Sequence, residues 1–327
     1  MGRPSTCGPS RWWTAALIAL ATAAGLVALR PIWDVDIFWH IAAGRWILQN
    51  GAFPTTDIFS FVVPPRDWVT FQWLYEVLCA QVDEMGGLTA IRVLHGALTS
   101  LAFVAFVWFA LRYLRLAGLR KELLLPAVLI LFALLFALYA DRVRARPHIF
   151  NLLCWSLALN ILLTLSARPR LQAFLLTFLV FLWSNLHAGG SFIFLVVLAA
   201  WPLSAWLLAR WGGASSKWAA GTGTAPQAGL VFGLAVTAAL VSPNWLRGVG
   251  QAYSMLGGSE AMIAEWLPFY HYLAIASNPL HLLAGIAPLL GLAAVVLVVR
   301  QGKGLRLEVV LTALGLVGFA HERGVGD

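Results

Sequence analysis

Apolar runs long enough to cross a bilayer recur along the whole chain, and that recurrence leaves few folds open. They lie near 12–30, 88–111, 123–140, 148–166, 171–185, 190–209, 228–242, 280–299 and 306–320. A spanning helix needs about 20 mostly apolar residues, within a range of roughly 17–25. Inside hydrocarbon the backbone has no water to bond to, so such runs must be helical to satisfy their own polar groups. Composition agrees: 61% of the 327 residues are hydrophobic and 11% are charged. A soluble domain is about half apolar and about a quarter charged, and one core cannot hide this much apolar surface. The expected fold is all-α: a polytopic integral membrane protein of about nine transmembrane helices, forming a single transmembrane domain over 1–327.

Charge then orients the chain. With the N-terminus placed in the cytoplasm, that side holds Arg3, Arg11, Arg112, Arg115, Arg120, Lys121, Arg168, Arg170, Arg210, Lys217, Arg300, Lys303 and Arg306. These are 13 of the 22 basic residues, accompanied only by Glu122 and Glu308, for a net of +11. The other side, counting span ends, nets −3, and together they give the chain's +8. Excess lysine and arginine in cytoplasmic loops is the positive-inside pattern. The basic character is therefore topology, and no nucleic-acid partner is expected. Ala21-Thr22-Ala23 resembles a signal-peptide cleavage site, but the apolar run continues to Leu29, and an uncleaved first helix is expected. Cys7, Cys79 and Cys154 are scattered, which argues against a disulfide framework or a zinc knuckle.

Two outer-face segments remain between the runs. The first, 31–87, contains the turn-rich "NGAFPTTDIFSF" and then "FQWLYEVLCAQVDEMGG". In the latter, Trp73, Leu74, Val77, Leu78 and Val82 recur at helical spacing, with Gln72, Glu76 and Asp83 between them. That pattern predicts an amphipathic helix lying on the membrane surface. The second, 243–279, is rich in Trp, Tyr and Pro and is read as interfacial too.

Ionisable and polar groups at span ends need a reason, because a bilayer makes them costly. Four clusters fall on the outer face. They are Asp34, Asp36 and His40; Asp141, Arg142, Arg144, Arg146 and His148; Asn185 and His187 in "SNLHAGG"; and Asn244 in "SPNW", followed by Glu265 and His271. Asp34 or Asp36 can cap a helix beginning near Ile37. Capping leaves unexplained why Asp36 and His40 stand four apart, on one face of that helix. The arginines can anchor headgroups, yet three at alternate positions in a short outer loop suit a clamp for a phosphate, which guanidinium matches with a bidentate fork. Asn185 and His187 can be no more than a tight hairpin between helices. No HxxxH or HExxH spacing supports zinc.

A carboxylate pair beside a histidine and an arginine clamp suits transfer from a phosphate-activated lipid. The carboxylate takes the proton of an acceptor hydroxyl, and cations or a metal stabilise the departing phosphate. On these residues the chain resembles the GT-C class of polytopic glycosyltransferases, such as the protein mannosyltransferases and the lipid A aminoarabinose transferases, and within it a bacterial branch. The likeness rests on the Asp-x-Asp after the first run, "WHIAAGRWILQNGAFPTTDIFSF", "QWLYEVL", "RARPHIF", "NLHAGG" and "SPNW", spread from residue 34 to about 250. It implies a bacterial inner membrane, a polyprenyl-phosphate-linked sugar as donor, and reaction on the non-cytoplasmic side. It also implies Asp34 as catalytic acid–base, with Asp36 as its partner or as ligand to a divalent metal. Arg142, Arg144, Arg146 and His148 would hold the donor, with His40, Asn185, His187 and Asn244 lining the pocket. GT-C proteins commonly have more spanning helices, often followed by a soluble domain, and "GFAHERGVGD" reads as an element cut short. A transporter or flippase would carry polar residues at mid-span and paired broken helices in an internal repeat; neither pattern is found. A non-enzymatic descendant of a GT-C ancestor remains the other alternative.

Overall fold

The computed structural model of the protein describes residues 11–199, apart from 33, 62, 63, 65, 66, 117, 140–142, 166, 193 and 197, together with residues 225–243. The described chain is helical. Its named helices are α1 (Arg11–Ala28), α2 (Asp36–Asn50), α3 (Trp73–Leu116), α4 (Lys121–Tyr139), α5 (Ile149–Thr164), α6 (Pro169–Leu186) and α7 (Ala225–Leu240). Among the described residues there is no named strand, only one isolated bridge between Thr56 and Asp67. Two of these helices, α3 and α6, are long and apolar enough to cross a membrane, and the shorter apolar helices Ala15–Ala28, Ile149–Thr164 and Ala228–Leu240 accompany them. The expected runs at 280–299 and 306–320, and the second outer segment beyond residue 243, lie outside the described residues.

Glycine divides α3. Gly86 and Gly87 depart from helical geometry, and Gly87 has φ 62° with ψ −158°, a conformation open in practice only to a residue without Cβ. Residues 73–85 therefore form a separate arm. They include Glu76, Asp83 and Glu84 and are too few to cross a bilayer, so the part of α3 long enough to do so begins after the break. Another glycine closes α2: Gly51, at φ 60°, donates its N–H to the Ile47 carbonyl at 2.9 Å.

The described residues fall into two compact units, one drawn from 1–39 and 82–160, the other from 40–81 and 161–327. In the first, α1 crosses α3 at two glycines. A Cβ on Gly25 would overlap Ser100 Oγ, and one on Gly96 would stand 3.1 Å from the Gly25 carbonyl oxygen. Small residues at such crossings let helix backbones approach closely, which is how helices associate where lipid offers no hydrophobic drive. Arg92 Nε donates to the Leu29 carbonyl at 2.7 Å, placing positive charge just past the C-terminus of α1. Phe103 packs against Phe132 and Phe136 of α4, and Asn160 Nδ2 of α5 donates to the Ala105 carbonyl at 2.8 Å.

In the second unit α6 packs on α7. Pro169 opens α6, a position where its missing N–H costs nothing. Leu176, Leu179, Val180 and Trp183 of α6 turn inward, while Leu171, Phe174 and Phe178 stay exposed. A helix whose outward side keeps large apolar groups suits a lipid solvent. Here too α2 meets the short arm of α3: a Cβ on Gly44 would overlap the Glu76 carbonyl oxygen.

That contact revises the expected amphipathic helix. Its buried side is Tyr75, Glu76, Cys79 and Ala80, whereas Trp73, Leu74, Val77 and Leu78 are not fully buried. Spacing alone puts Glu76 among the outward polar positions. The close approach allowed by Gly44 instead packs it against α2, leaving the apolar stripe at the periphery.

Candidate functional site

Residues 30–36 leave α1 and enter α2, and the stretch 143–148 leads into α5. Both belong to the first unit, and arginines fasten them together. Arg30 Nη2 donates to the Val143 carbonyl at 3.0 Å. Arg146 bonds Asp34 through Nε, reaches Asp34 Oδ1 from Nη2 at 3.2 Å, and pairs with Asp36 Oδ2 at 2.8 Å. One guanidinium thus bridges two carboxylates that stand 112 and 110 residues before it in the chain. Planar, five-donor arginine suits this role, since its rigid fork matches carboxylate geometry.

The two acids differ. Asp34 is 5% exposed and also accepts the backbone N–H of Asp36 at 3.2 Å, so it does cap the entrance to α2. The Asp36 side chain is 40% exposed and open to an approaching molecule. Beside the bridge, a small recess is lined by Ala28, Arg30, Pro31, Ile32, Asp34, Val143, Arg144 and Ala145. Arg30 belongs to this site although its sequence context marks it only as one more outer-face charge. The signal available was its position four residues ahead of Asp34. His148 is half-buried at the threshold of α5, where its carbonyl accepts the Tyr139 hydroxyl at 2.7 Å.

Because the Arg146 guanidinium bonds both acids, it occupies the place a divalent cation would need to share them. The donor set as arranged does not fit a metal. Among the described residues no three of His, Cys, Asp and Glu converge on a common point.

His40, Asn185 and His187 belong to the second unit and have partners of their own there. His40 Nδ1 lies 3.7 Å from Glu76 Oε1, and its ring meets Tyr75 edge-on at 5.1 Å between centroids. His40 is 2% exposed and Glu76 1%. Burial on the arm before the glycine break pushes the Glu76 carboxyl up to about 8, so the neutral acid prevails at neutral pH. Asn185 is an inter-helix tie. Its Oδ1 accepts from Trp73 Nε1 at 2.6 Å, and its Nδ2 donates to the carbonyls of Phe181 at 2.8 Å and Val241 at 3.0 Å. Both amide protons and the carbonyl are engaged within the protein. His187 caps α6 in extended geometry, and its Nδ1 accepts the Gly190 N–H at 3.4 Å. The chain is helical again from residue 188, so the expected hairpin is a one-residue break.

Asp141, Arg142, Asn244, Glu265 and His271 lie outside the described residues. Compared with protein-family models, with curated proteins and with solved structures, the chain matches none.

Proposed function

We propose that this chain is a polytopic membrane glycosyltransferase that moves a sugar from a polyprenyl-phosphate-type lipid donor to an acceptor at the outer face, in a GT-C-like arrangement of about nine spanning helices. The N-terminus lies in the cytoplasm, as the lysine and arginine asymmetry favours, and a bacterial inner membrane is what the GT-C resemblance implies. One observation carries the reading: residues from the acidic cluster and the arginine cluster, more than a hundred positions apart, meet as the Asp34–Asp36–Arg146 bridge beside a recess lined by Arg30 and Arg144.

The chemistry follows from those groups. An acceptor hydroxyl gives its proton to a carboxylate as its oxygen attacks the sugar's anomeric carbon. The bond from that carbon to the phosphate oxygen breaks, and the phosphate leaves with the electron pair. Arg30 and Arg144 supply positive charge where that negative charge develops. The GT-C resemblance assigns the base to Asp34. Exposure favours Asp36 for contact with an acceptor, with Asp34 anchoring Arg146 and α2.

The test is transfer from labelled polyprenyl-linked sugars on membranes of a host lacking the native protein. General-base loss is expected to cost about 10²–10⁴ in rate. D36N is expected to show that loss with unfolding temperature little changed, and D34N to lose both activity and stability. Full transfer by both variants would remove the carboxylates from the mechanism. A purely structural role for the bridge is favoured by how completely Arg146 is engaged. It predicts stability losses with no specific loss of transfer per folded molecule.

A further inference from the structure

The loop between α2 and α3 is tightly built and keeps its apolar groups outside. At its neck the Trp68 N–H donates to the Thr55 carbonyl at 2.9 Å, and Thr56 bridges Asp67. At its tip Asp57 organises a turn: Oδ1 accepts the N–H groups of Phe59 at 2.9 Å and Ser60 at 3.1 Å, and Oδ2 accepts the Ser60 hydroxyl at 2.5 Å. Phe59 leans on Trp68 at 5.5 Å between ring centroids. Despite this internal order, Ile58 and Phe59 are exposed and Phe61 is fully exposed. A folded loop that presents three large apolar side chains this way is built for an apolar surrounding rather than for water. Asp57, the charged residue among the described positions 57–61, has its carboxylate answered by three donors.

The surrounding follows from where the loop is fastened. Phe53 packs edge-on against Trp73 at 5.2 Å, and Trp73 Nε1 bonds Asn185. Asn185 is the penultimate residue of α6, which is apolar and 18 residues long. At 1.5 Å per residue that helix measures about 27 Å, close to the ~30 Å thickness of a bilayer's hydrocarbon core. With α6 read as a spanning helix, its end is at a membrane–water boundary. Trp73, with its indole N–H tied to a polar partner and its ring among apolar groups, is the side chain such boundaries favour.

We propose that the tip of this loop, residues 57–61, is a membrane-insertion device, with Ile58, Phe59 and Phe61 immersed in the lipid headgroup and upper acyl region on the side where α6 ends. The occupant of this apolar surface is lipid. The inference rests on the membrane-spanning reading of α6, and it is independent of sugar transfer.

Spin labels on single cysteines test it in the full chain, with Cys7, Cys79 and Cys154 replaced, reconstituted into phosphatidylethanolamine–phosphatidylglycerol vesicles. Labels go at Thr55→Cys, Ile58→Cys and Phe61→Cys. Relaxation by oxygen, which partitions into lipid, is compared with relaxation by a water-soluble nickel chelate. The expected result is a gradient: nickel accessibility falls and oxygen accessibility rises from 55 to 58 to 61. Equal nickel accessibility at 55 and 61 would overturn the proposal, since the tip would be in water. Dipolar broadening between labels at 61 that vanishes on dilution with unlabelled protein would also overturn it, assigning the surface to a second copy. Because no activity is read, failure of the transferase reading leaves this outcome untouched.

Discussion

At the scale of single residues the two acid-bearing sites use opposite physics. Asp34 and Asp36 share a guanidinium, so charge is met by charge. Glu76 lies 3.7 Å from a histidine, and its carboxyl, pushed up to about 8 by burial, keeps its proton at neutral pH. Such a group binds its proton more tightly in the fold than in the unfolded chain, where the ordinary value is near 4.5. Its stabilising contribution is complete below pH 4.5 and is lost as pH rises through about 8. The unfolding temperature in detergent, followed by tryptophan fluorescence, should therefore fall across that window for the wild type. In E76Q, which keeps the shape but cannot ionise, this part of the decline should be missing. Parallel pH profiles for the two proteins would mean that Glu76 does not carry the dependence.

Among the elements, the crossing of α1 and α3 is the most sharply determined contact. Gly25 and Gly96 face each other with no room for a side chain, and Arg92 seals the end of α1 at Leu29, one helical turn beyond Gly25. Overpacking of a tight contact typically costs about 1–3 kcal/mol. Gly96→Leu should lower the unfolding temperature, while Gly229→Ala in α7, where a Cβ meets nothing, should not. An unchanged Gly96→Leu protein would mean the two helices do not approach this closely. Among the described residues the helices themselves were legible in the sequence, because apolar runs and glycine or proline punctuation are local signals. The orientation of residues 73–85 was not. Amphipathic reasoning sends polar residues to the outside because water is there, but the close approach of α2 at Gly44 turns Glu76 in. The Asp34–Arg146 bridge was legible in part: the order of the apolar runs expects both clusters at the same face, and the structure brings Asp34 and Arg146 together. The pairing itself joins residues 112 apart, and no local spacing encodes that.

For the whole molecule, the strongest constraint is the division of charge that the sequence pattern assigns to the two sides of a membrane. The net +11 assigned to the cytoplasmic loops concerns positions spread from Arg3 to Arg306, so it tests the chain's threading as a unit. Cys79 and Cys154 cannot report that threading, since both are buried. Introduced ones can. Ala52, at the base of the loop before α3, and Glu122, in the first turn of α4, are both exposed. Neither replacement removes a lysine or arginine, so the orienting charge is undisturbed. With Cys7, Cys79 and Cys154 substituted, Ala52→Cys should react with a membrane-impermeant maleimide in intact cells. Glu122→Cys should react only after the membrane is opened. Labelling of both from outside would place the two ends of α3 on one side, contradicting a crossing between them. The reverse pattern would keep the crossing but invert the protein, and the Asp34–Asp36–Arg146 bridge would then face the cytoplasm, where outer-face transfer cannot occur.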